Sequence, residues 1–190
     1  MLNQIRPALV MVVLLTILTG LAYPLAMTGI AQGLFPNQAD GSLVKRSDGT
    51  VIGSSLIGQE FAGDRYFHGR PSATAPTPYN AASSAGSNLG PTARALADRV
   101  KADVDALAAQ GIETPPADMV TSSASGLDPD ISPANAELQV ARVAAARGLP
   151  PERVRQAVQD ATSGRLFGLI GEPRVNVLQL NMALDGLKTP

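Results

Sequence analysis

The fold is decided by residues 8–30, which read ALVMVVLLTILTGLAYPLAMTGI. This run carries no charged side chain and exceeds the roughly 20 apolar residues that a helix needs to cross the hydrocarbon core of a bilayer. Pro7 suits the first helical turn, where its missing N–H is not needed. Pro24 lies inside the run and is expected to kink the helix or end its regular part. The sequence therefore predicts a transmembrane helix over residues 7–34.

Small residues form a second pattern in the same run. Gly29 and Gly33 have the G-x-x-x-G spacing, and two alanines four residues apart precede them. Small side chains at such spacing allow another helix to approach closely within lipid. We therefore expect packing against partner helices through Gly20, Ala22, Ala26, Gly29 and Gly33.

The positive charges indicate the orientation of this helix. Arg6 and the N-terminal amine precede the run, and the next cation is Lys45. Cytoplasmic flanks of membrane helices carry an excess of Lys and Arg. We therefore expect residues 1–6 in the cytoplasm and residues 35–190 outside it. A signal peptide cut after Ala31 is the alternative, although the apolar core of such a signal usually has only about 7–15 residues.

The composition excludes several classes of function. The chain has 190 residues, with 15 Lys and Arg against 16 Asp and Glu, so a polybasic surface for nucleic acid is not expected. It has no Cys, which excludes disulfides, thiolate metal sites and a cysteine nucleophile. His68 is the only histidine, so a site built from several histidines is also excluded.

The segment after the helix begins with a predicted hairpin and a long loop. Alternating apolar and polar residues at 43–45 and 51–56 flank an Asp-Gly pair, which is a typical hairpin signal. Prolines interrupt residues 58–80, so this stretch is expected to be irregular. Because it holds four of the chain's seven aromatic residues, we expect it to pack against the domain.

Helical patterns dominate the rest of the chain. We predict one helix from Pro91 to about residue 110, and a second that is capped by Ser132 and ends before Gly148. A third opens at residues 150–152. Residues 175–187 alternate like a strand but also match a helix, which we favour. The expected fold class is α+β: one N-terminal transmembrane helix followed by a mostly helical extracytoplasmic domain with a small antiparallel sheet.

Two loops of similar composition precede helical segments. Residues 84–91 and 123–129 are rich in Ser, Gly and Asn or Asp. Small residues of this kind are typical of tight turns at helix entries. Their hydroxyls and amides could also receive an anion or a loop of a partner protein. Helix entry is the interpretation that the residue types favour.

Catalytic motifs are weak or absent. The sequence contains no P-loop, G-x-G-x-x-G or G-x-S-x-G pattern. Ser42 and Lys45 fit S-x-x-K, but in a predicted strand that spacing places them on opposite faces. Asp128 and Asp130 could do acid–base work or hold a cation, although Asp next to Pro is common in turns. We therefore expect no catalytic and no metal-binding residues, and keep an extracytoplasmic hydrolase or a secreted binding protein as alternatives.

Short motifs recur in order along nearly the whole chain. They include YFHGRPSA at 66–73, GSNLGP at 86–91, SGLDP at 125–129 and GEPRVNVL at 171–178. Together with the single apolar helix, these motifs resemble the KdpC family, a subunit of the bacterial high-affinity potassium-transporting P-type ATPase. Asp130 departs from the family pattern, in which a His is common at this position.

This resemblance implies a role in an inner-membrane complex. It implies a channel-like subunit that carries potassium, a P-type subunit that hydrolyses ATP, and the small KdpF subunit as partners, with membrane lipid around them. It also implies an accessory subunit that is not an enzyme by itself, is required for assembly and acts as a catalytic chaperone raising the ATP affinity of the hydrolysing subunit. ATP and potassium would be handled by the complex, and no cofactor is expected on this chain.

The resemblance also places the expected contacts with other subunits on the periplasmic domain. The candidates lie in the long loop, in the two Gly/Ser-rich loops and at the start of the second predicted helix. They are Tyr66, Phe67, Arg70, Pro71, Ser72, Tyr79, Asn80, Ser87, Asn88, Asp128 and Ser132.

Overall fold

The computed structural model describes residues 2–46 and 48–186. The chain divides into two compact units, which we call unit 1 (Met1–Ser54) and unit 2 (Ser55–Pro190). The fold class is α+β, with one apolar N-terminal helix, shorter helices and two small antiparallel sheets. This confirms the fold class expected from the sequence.

Unit 1 is built on the apolar helix α1, Ile5–Leu34, which is long and apolar enough to cross a membrane. A short 3-10 turn, Leu2–Gln4, precedes it. The helix continues through Pro24 to Leu34, but its regular α-helical part is interrupted just before the proline, where Thr16–Ala22 widens into a π-helix. A proline cannot donate to the carbonyl four residues earlier, and the wider turn accommodates that missing bond.

The remainder of unit 1 is a short helix and the predicted hairpin. Helix α2, Pro36–Ala39, leads into strands β1, Leu43–Lys45, and β2, Val51–Ser54. The two strands pair antiparallel, with Leu43 opposite Ser54 and Lys45 opposite Val51. The second strand is shorter than the predicted 51–56. Within the turn, Ser47 lies outside the described residues.

Over its described residues, unit 2 begins with the long irregular segment and continues through five helices and three short strands. A 3-10 turn, Ala81–Ser83, follows the irregular segment. In chain order the other elements are α3 (Arg94–Ala108), α4 (Ala117–Val120), β3 (Asp130–Ile131), α5 (Pro133–Arg147), α6 (Pro151–Asp160), β4 (Thr162–Ser163), β5 (Arg174–Asn176) and α7 (Val177–Gly186). The sheet has the order β3-β5-β4, and both pairings are antiparallel.

Local signals placed α5 and α6 correctly. The Ser132 hydroxyl accepts a hydrogen bond from the Asn135 N–H and caps α5, as expected for a helix that has proline at its first position. Gly148 ends α5 in the left-handed conformation, with φ of 65°. Pro151 then opens α6. These confirmed boundaries fix the two helices against which the rest of unit 2 packs.

The predicted start of α3 is wrong by three residues. The Ala93 N–H bonds the Gly90 carbonyl at 3.0 Å, so Pro91 occupies a turn and the helix begins at Arg94. Pro91 misled the prediction because the φ that suits a first helical position also suits the second position of a β-turn.

Both interpretations of residues 175–187 are correct for different parts of the segment. Arg174–Asn176 forms the central strand β5, and the helix α7 starts at Val177. The Asn176 side chain accepts from the Gln179 N–H at 3.1 Å and so caps the helix. Leu187, the predicted end of this element, lies outside the described residues.

The core of unit 2 lies where α5, α6, α7 and the central strand meet. Valine, leucine and alanine side chains at helical spacing supply most of it, as the periodicity predicted. Its buried members are Phe67, Ile131, Ala136, Val140, Val143, Ala144, Leu149, Val154, Val158, Val175, Val177, Leu180 and Leu184. Phe67 comes from the irregular segment, so that segment is packed against the domain, as expected.

Candidate functional site

The irregular segment 58–80, which we call the clamped loop, is held at its centre by two buried side-chain amides. The Phe67 N–H donates to Asn181 Oδ1 at 2.8 Å, and Asn181 Nδ2 donates to the Phe67 carbonyl at 3.0 Å. The His68 N–H donates to Gln139 Oε1 at 2.8 Å, and Gln139 Nε2 donates to the His68 carbonyl at 3.1 Å. Asn181 and Gln139 therefore pair the backbone N–H and carbonyl groups of two consecutive residues, as a neighbouring strand would. We call these two side chains the amide clamp.

The amide clamp extends into a polar network that ties three elements together. Gln139 Nε2 donates to Asn135 Oδ1 at 2.7 Å, and Asn135 Nδ2 donates to Asp118 Oδ2 at 3.0 Å. The same carboxylate accepts the Ser132 N–H at 2.8 Å. Buried amides are stable only when their donors and acceptors are paired. The network thus fixes α4 and the start of α5 relative to the clamped loop.

Two arginines of α5 hold the first half of the clamped loop. Arg142 Nη1 donates to the carbonyls of Asp64 and Tyr66 at 2.8 and 3.0 Å, and burial lowers the pKa of this guanidinium. Arg147 Nε donates to the Arg65 carbonyl at 2.6 Å, and its guanidinium lies 5.2 Å from the centre of the Tyr66 ring. The Arg147 side chain is only 4% exposed and pairs with Asp185 at 2.9 Å. Arg147 therefore links the clamped loop to Asp185 of α7 and stabilises the fold.

Hydroxyl groups organise the second half of the clamped loop. Ser72 Oγ donates to the Gly126 carbonyl at 2.7 Å and accepts the Tyr79 N–H at 2.9 Å. The Tyr79 hydroxyl donates to the Arg70 carbonyl at 2.6 Å. Burial, and then the nearby Asp128 carboxylate, raise the pKa of Tyr79 to about 12, so the phenol stays a donor at neutral pH.

The two aspartates that the sequence singled out are paired with different arginines. Arg70 Nη1 donates to Asp128 Oδ2 at 2.9 Å, and Asp128 Oδ1 accepts the Asp130 N–H at 3.0 Å. Asp130 Oδ2 lies 3.0 Å from Arg174 Nε, while burial raises the pKa of the Asp130 carboxyl. Asp128 therefore serves the local turn and an ion pair, as turn chemistry predicted, whereas Asp130 binds the side chains of Arg174 and Asn176.

His68 has a structural arrangement rather than that of a general base. Its Nε2 lies 3.0 Å from the Gly63 carbonyl, which can only accept, so this nitrogen carries the proton. Burial lowers the pKa of His68, which favours the neutral ring. Among residues 2–46 and 48–186, no group of three or more His, Cys, Asp or Glu side chains is arranged to hold a metal ion.

The two Gly/Ser-rich loops pack against each other. Ser84 Oγ donates to the Ser125 carbonyl at 3.0 Å. A Cβ on Gly86 would lie 2.8 Å from the Ala124 carbonyl oxygen. A Cβ on Gly126 would lie 2.6 Å from the Ala85 carbonyl oxygen. Their shared composition therefore permits a close backbone contact between the two loops, in addition to the turns they form.

Most of the candidate contact residues belong to the clamped loop, and most are half-buried. Asn88 is exposed, whereas Phe67 has no exposed surface and belongs to the core. The Phe67 side chain therefore offers nothing to a partner, and only its neighbours remain candidates. The nine half-buried candidates are Tyr66, Arg70, Pro71, Ser72, Tyr79, Asn80, Ser87, Asp128 and Ser132.

Sequence reasoning selected Ser72 and Tyr79, but not the polar side chains of α5 and α7 that hold the centre and first half of the clamped loop. Asn181 follows the buried Leu180 at the apolar side of α7, and Asn135, Gln139 and Arg142 share one face of α5. A polar residue on the buried face of an amphipathic helix is the signal that could have found them, because such a group needs a specific partner. The five small residues of α1 are all exposed in this chain, and a Cβ on Gly29 or Gly33 would meet nothing within 4 Å.

Comparison with known proteins identifies the family. The family model for KdpC, described as the c chain of the K⁺-transporting ATPase, matches residues 5–186. The chain belongs to the KdpC family. A protein from Bradyrhizobium diazoefficiens named Potassium-transporting ATPase KdpC subunit is 63% identical, with 97% of this chain and 98% of the relative covered.

Other KdpC proteins are equally similar. Potassium-transporting ATPase KdpC subunits from Rhodopseudomonas palustris strain BisB18 and from Methylobacterium nodulans are 62% and 63% identical. These alignments cover 99% and 98% of this chain and 100% and 98% of the relatives. The similarity therefore includes both the apolar helix and unit 2 and is not confined to one motif.

Proposed function

We propose that this KdpC-family chain is an accessory, non-catalytic subunit of an ATP-driven, high-affinity potassium uptake complex and is needed for its assembly. The observation that carries the proposal is the family match, which extends over almost the whole chain at high identity. A single apolar helix followed by a separate unit agrees with a membrane-anchored accessory subunit.

The arrangement of the titratable groups supports a role without chemistry of its own. Asp128 and Asp130 are each engaged by an arginine, and the His68 ring is bonded to a backbone carbonyl. General acid–base catalysis needs a titratable group within reach of a substrate proton. These three groups instead stabilise the clamped loop and the turn beside it, so potassium and ATP are handled by the other subunits.

The proposed topology follows from charge and length. Residues 1–6 are cytoplasmic, α1 spans the inner membrane, and residues 35–190 form a periplasmic domain. The exposed small residues Gly29 and Gly33 give partner helices a face that they can approach closely. Ala22 and Ala26 extend this face along the helix, and Gly20 is the fifth small residue through which we propose that the helix packs.

The partners in this proposal are the channel-like potassium subunit, the ATP-hydrolysing P-type subunit and the small KdpF subunit. Unit 2 contacts the channel-like subunit through the clamped loop and the two Gly/Ser-rich loops. Their rigid backbone supports this assignment, since an interface that is already ordered loses little conformational entropy on binding. The amide clamp and the Ser72 hydrogen bonds supply that order.

The chain also acts, in this proposal, as a catalytic chaperone that raises the ATP affinity of the hydrolysing subunit. A periplasmic domain cannot meet cytoplasmic ATP, so the effect is transmitted through subunit packing. Such an effect is a coupling free energy between two sites and needs no direct contact with the nucleotide.

Adding the chain back to membranes that lack it tests this function. Purified full-length chain is added to detergent-solubilised membranes that contain the other subunits, and potassium-stimulated ATP hydrolysis is measured against ATP concentration. We expect the half-saturating ATP concentration to fall as the chain binds, with a smaller change in the maximal rate.

A pair of helix variants controls this experiment. The double variant Gly29→Leu/Gly33→Leu should fail to associate and leave the half-saturating ATP concentration unchanged, because leucines block close helix approach. Val10→Leu/Val13→Leu changes the same helix outside the small-residue pattern and should behave like the natural chain. Restored hydrolysis with an unchanged half-saturating ATP concentration would contradict the chaperone role, and a chain that never binds would contradict the accessory role.

A further inference from the structure

Residues 165–172, which we call the apolar tip, contain the three most exposed large apolar side chains described in unit 2. The exposed fractions are 59% for Leu166, 85% for Phe167, 84% for Leu169 and 64% for Ile170. Phe167 and Leu169 are thus more exposed than any large apolar side chain described in α1, where the highest value is 69% for Leu25. Large apolar residues clustered at one exposed point usually mark an interaction site.

The apolar tip has a defined shape. The Leu166 N–H donates to the Ile170 carbonyl at 2.9 Å, and the Ile170 N–H donates back to the Leu166 carbonyl at 3.0 Å. The N–H groups of Gly168 and Leu169 also bond carbonyls within the tip. Because these N–H groups are already paired, moving the tip out of water exposes fewer unsatisfied backbone donors.

Phe167 is held in an unfavourable backbone conformation. Its φ is 52°, in the left-handed region that a bulky side chain rarely adopts. Strained residues of this kind concentrate at sites of function, where the surrounding structure enforces them. Here the strain directs the most exposed aromatic ring of unit 2 outward at the turn of the tip.

Chain length keeps unit 2 close to the membrane that holds α1. Ser54 is paired with Leu43, and its Oγ donates to the Gly41 carbonyl at 2.7 Å, so the end of β2 is fastened near residue 41. The segment 35–41 spans at most about 25 Å even when fully extended. Unit 2 starts at Ser55, and an ordinary domain of its size is roughly 35 Å across, so the tether is short enough to let unit 2 reach lipid.

We infer that the apolar tip inserts into the lipid headgroup and acyl-chain boundary of the leaflet next to unit 2. Apolar side chains at the end of a loop are suited to this boundary, and the bilayer is the apolar surface that the anchor itself brings near. Arg165 and Glu172 pair at 2.7 Å at the base of the tip, so the base is electrically neutral and remains at headgroup level. The inference rests on the proposed membrane anchoring of α1 and not on the proposed transport function.

A unique tryptophan tests this inference. The chain has no Trp, so Phe167→Trp places a single fluorophore at the tip. The full-length variant is placed in nanodiscs of phosphatidylethanolamine and phosphatidylglycerol, with or without bromine on the acyl chains. We expect the introduced tryptophan to emit at a shorter wavelength than a tryptophan in water. We also expect its fluorescence intensity to fall in the discs with brominated acyl chains. Leu138→Trp, at a partly exposed site on α5, is the matched control and should show neither change.

Two further measurements make the result decisive. Leu169→Trp repeats the test at the second most exposed position. If circular dichroism shows a folding defect in one variant, the other variant still tests the inference. Emission typical of water without bromine quenching would overturn the inference. Loss of bromine quenching when the other subunits are co-assembled, with emission still shifted, would show that a protein surface covers the tip and would also overturn it.

Discussion

Replacing Asn181 with alanine should lower the free energy of unfolding of unit 2 by about 3 kcal/mol, because the Phe67 N–H and carbonyl lose their partner in a buried position. Thermal unfolding of the full-length chain in mild detergent, followed by circular dichroism, should show a midpoint lower by about 10 °C. The same variant should bind the other subunits less well, since the clamped loop is no longer held.

An exposed asparagine provides the control for this substitution. Asn37 lies in α2 and is exposed, so Asn37→Ala removes the same atoms without breaking a buried pair. Its unfolding midpoint should stay close to that of the natural chain. Equal midpoints for Asn181→Ala and Asn37→Ala would show that the amide clamp does not stabilise the clamped loop.

Substituting Gly126 with alanine should destabilise unit 2 by about 3 kcal/mol through two separate effects. Gly126 has a φ of 68°, which disfavours any residue with a Cβ. The added carbon would also lie 2.6 Å from both the Ala85 carbonyl oxygen and the Thr74 Cγ2. The two Gly/Ser-rich loops would therefore have to separate. The loss of stability should appear as a lower midpoint in the same thermal unfolding experiment.

Gly111 separates the steric effect from the backbone effect. It has a φ of 86°, and a Cβ there would meet nothing within 4 Å. Gly111→Ala should therefore lose only about 1 kcal/mol, from the left-handed conformation alone. If both variants lost the same stability, the contact between the two loops would not contribute to the stability of unit 2.

Features with local causes were predictable from the sequence. The apolar run, the hairpin turn and the helix that starts at Ser132 and Pro133 each depend on residues close to one another in the chain. Pro91 was misassigned because its fixed φ fits two local structures, and only the hydrogen bond from Ala93 to Gly90 distinguishes them. Asn176 also fits two local structures, because it ends strand β5 and caps helix α7.

Features with distant causes were not predictable. The amide clamp joins residues 114 positions apart, and no local pattern reveals that Asn181 meets the backbone of Phe67. The similarity of the two Gly/Ser-rich loops was visible, but their mutual packing depends on how the whole unit folds. An aromatic residue in a loop indicates burial without showing whether the core or a partner buries it, and Phe67 is buried in the core.

The central claim is that this chain remains uncut and anchored and functions as a companion of other membrane subunits. Native mass spectrometry of the affinity-tagged full-length chain, extracted from membranes in mild detergent, measures both parts of the claim at once. We predict the mass of a chain that retains residues 1–34, bound to the other subunits of the potassium-transporting complex. A chain recovered alone, or one cut after Ala31, would contradict the account.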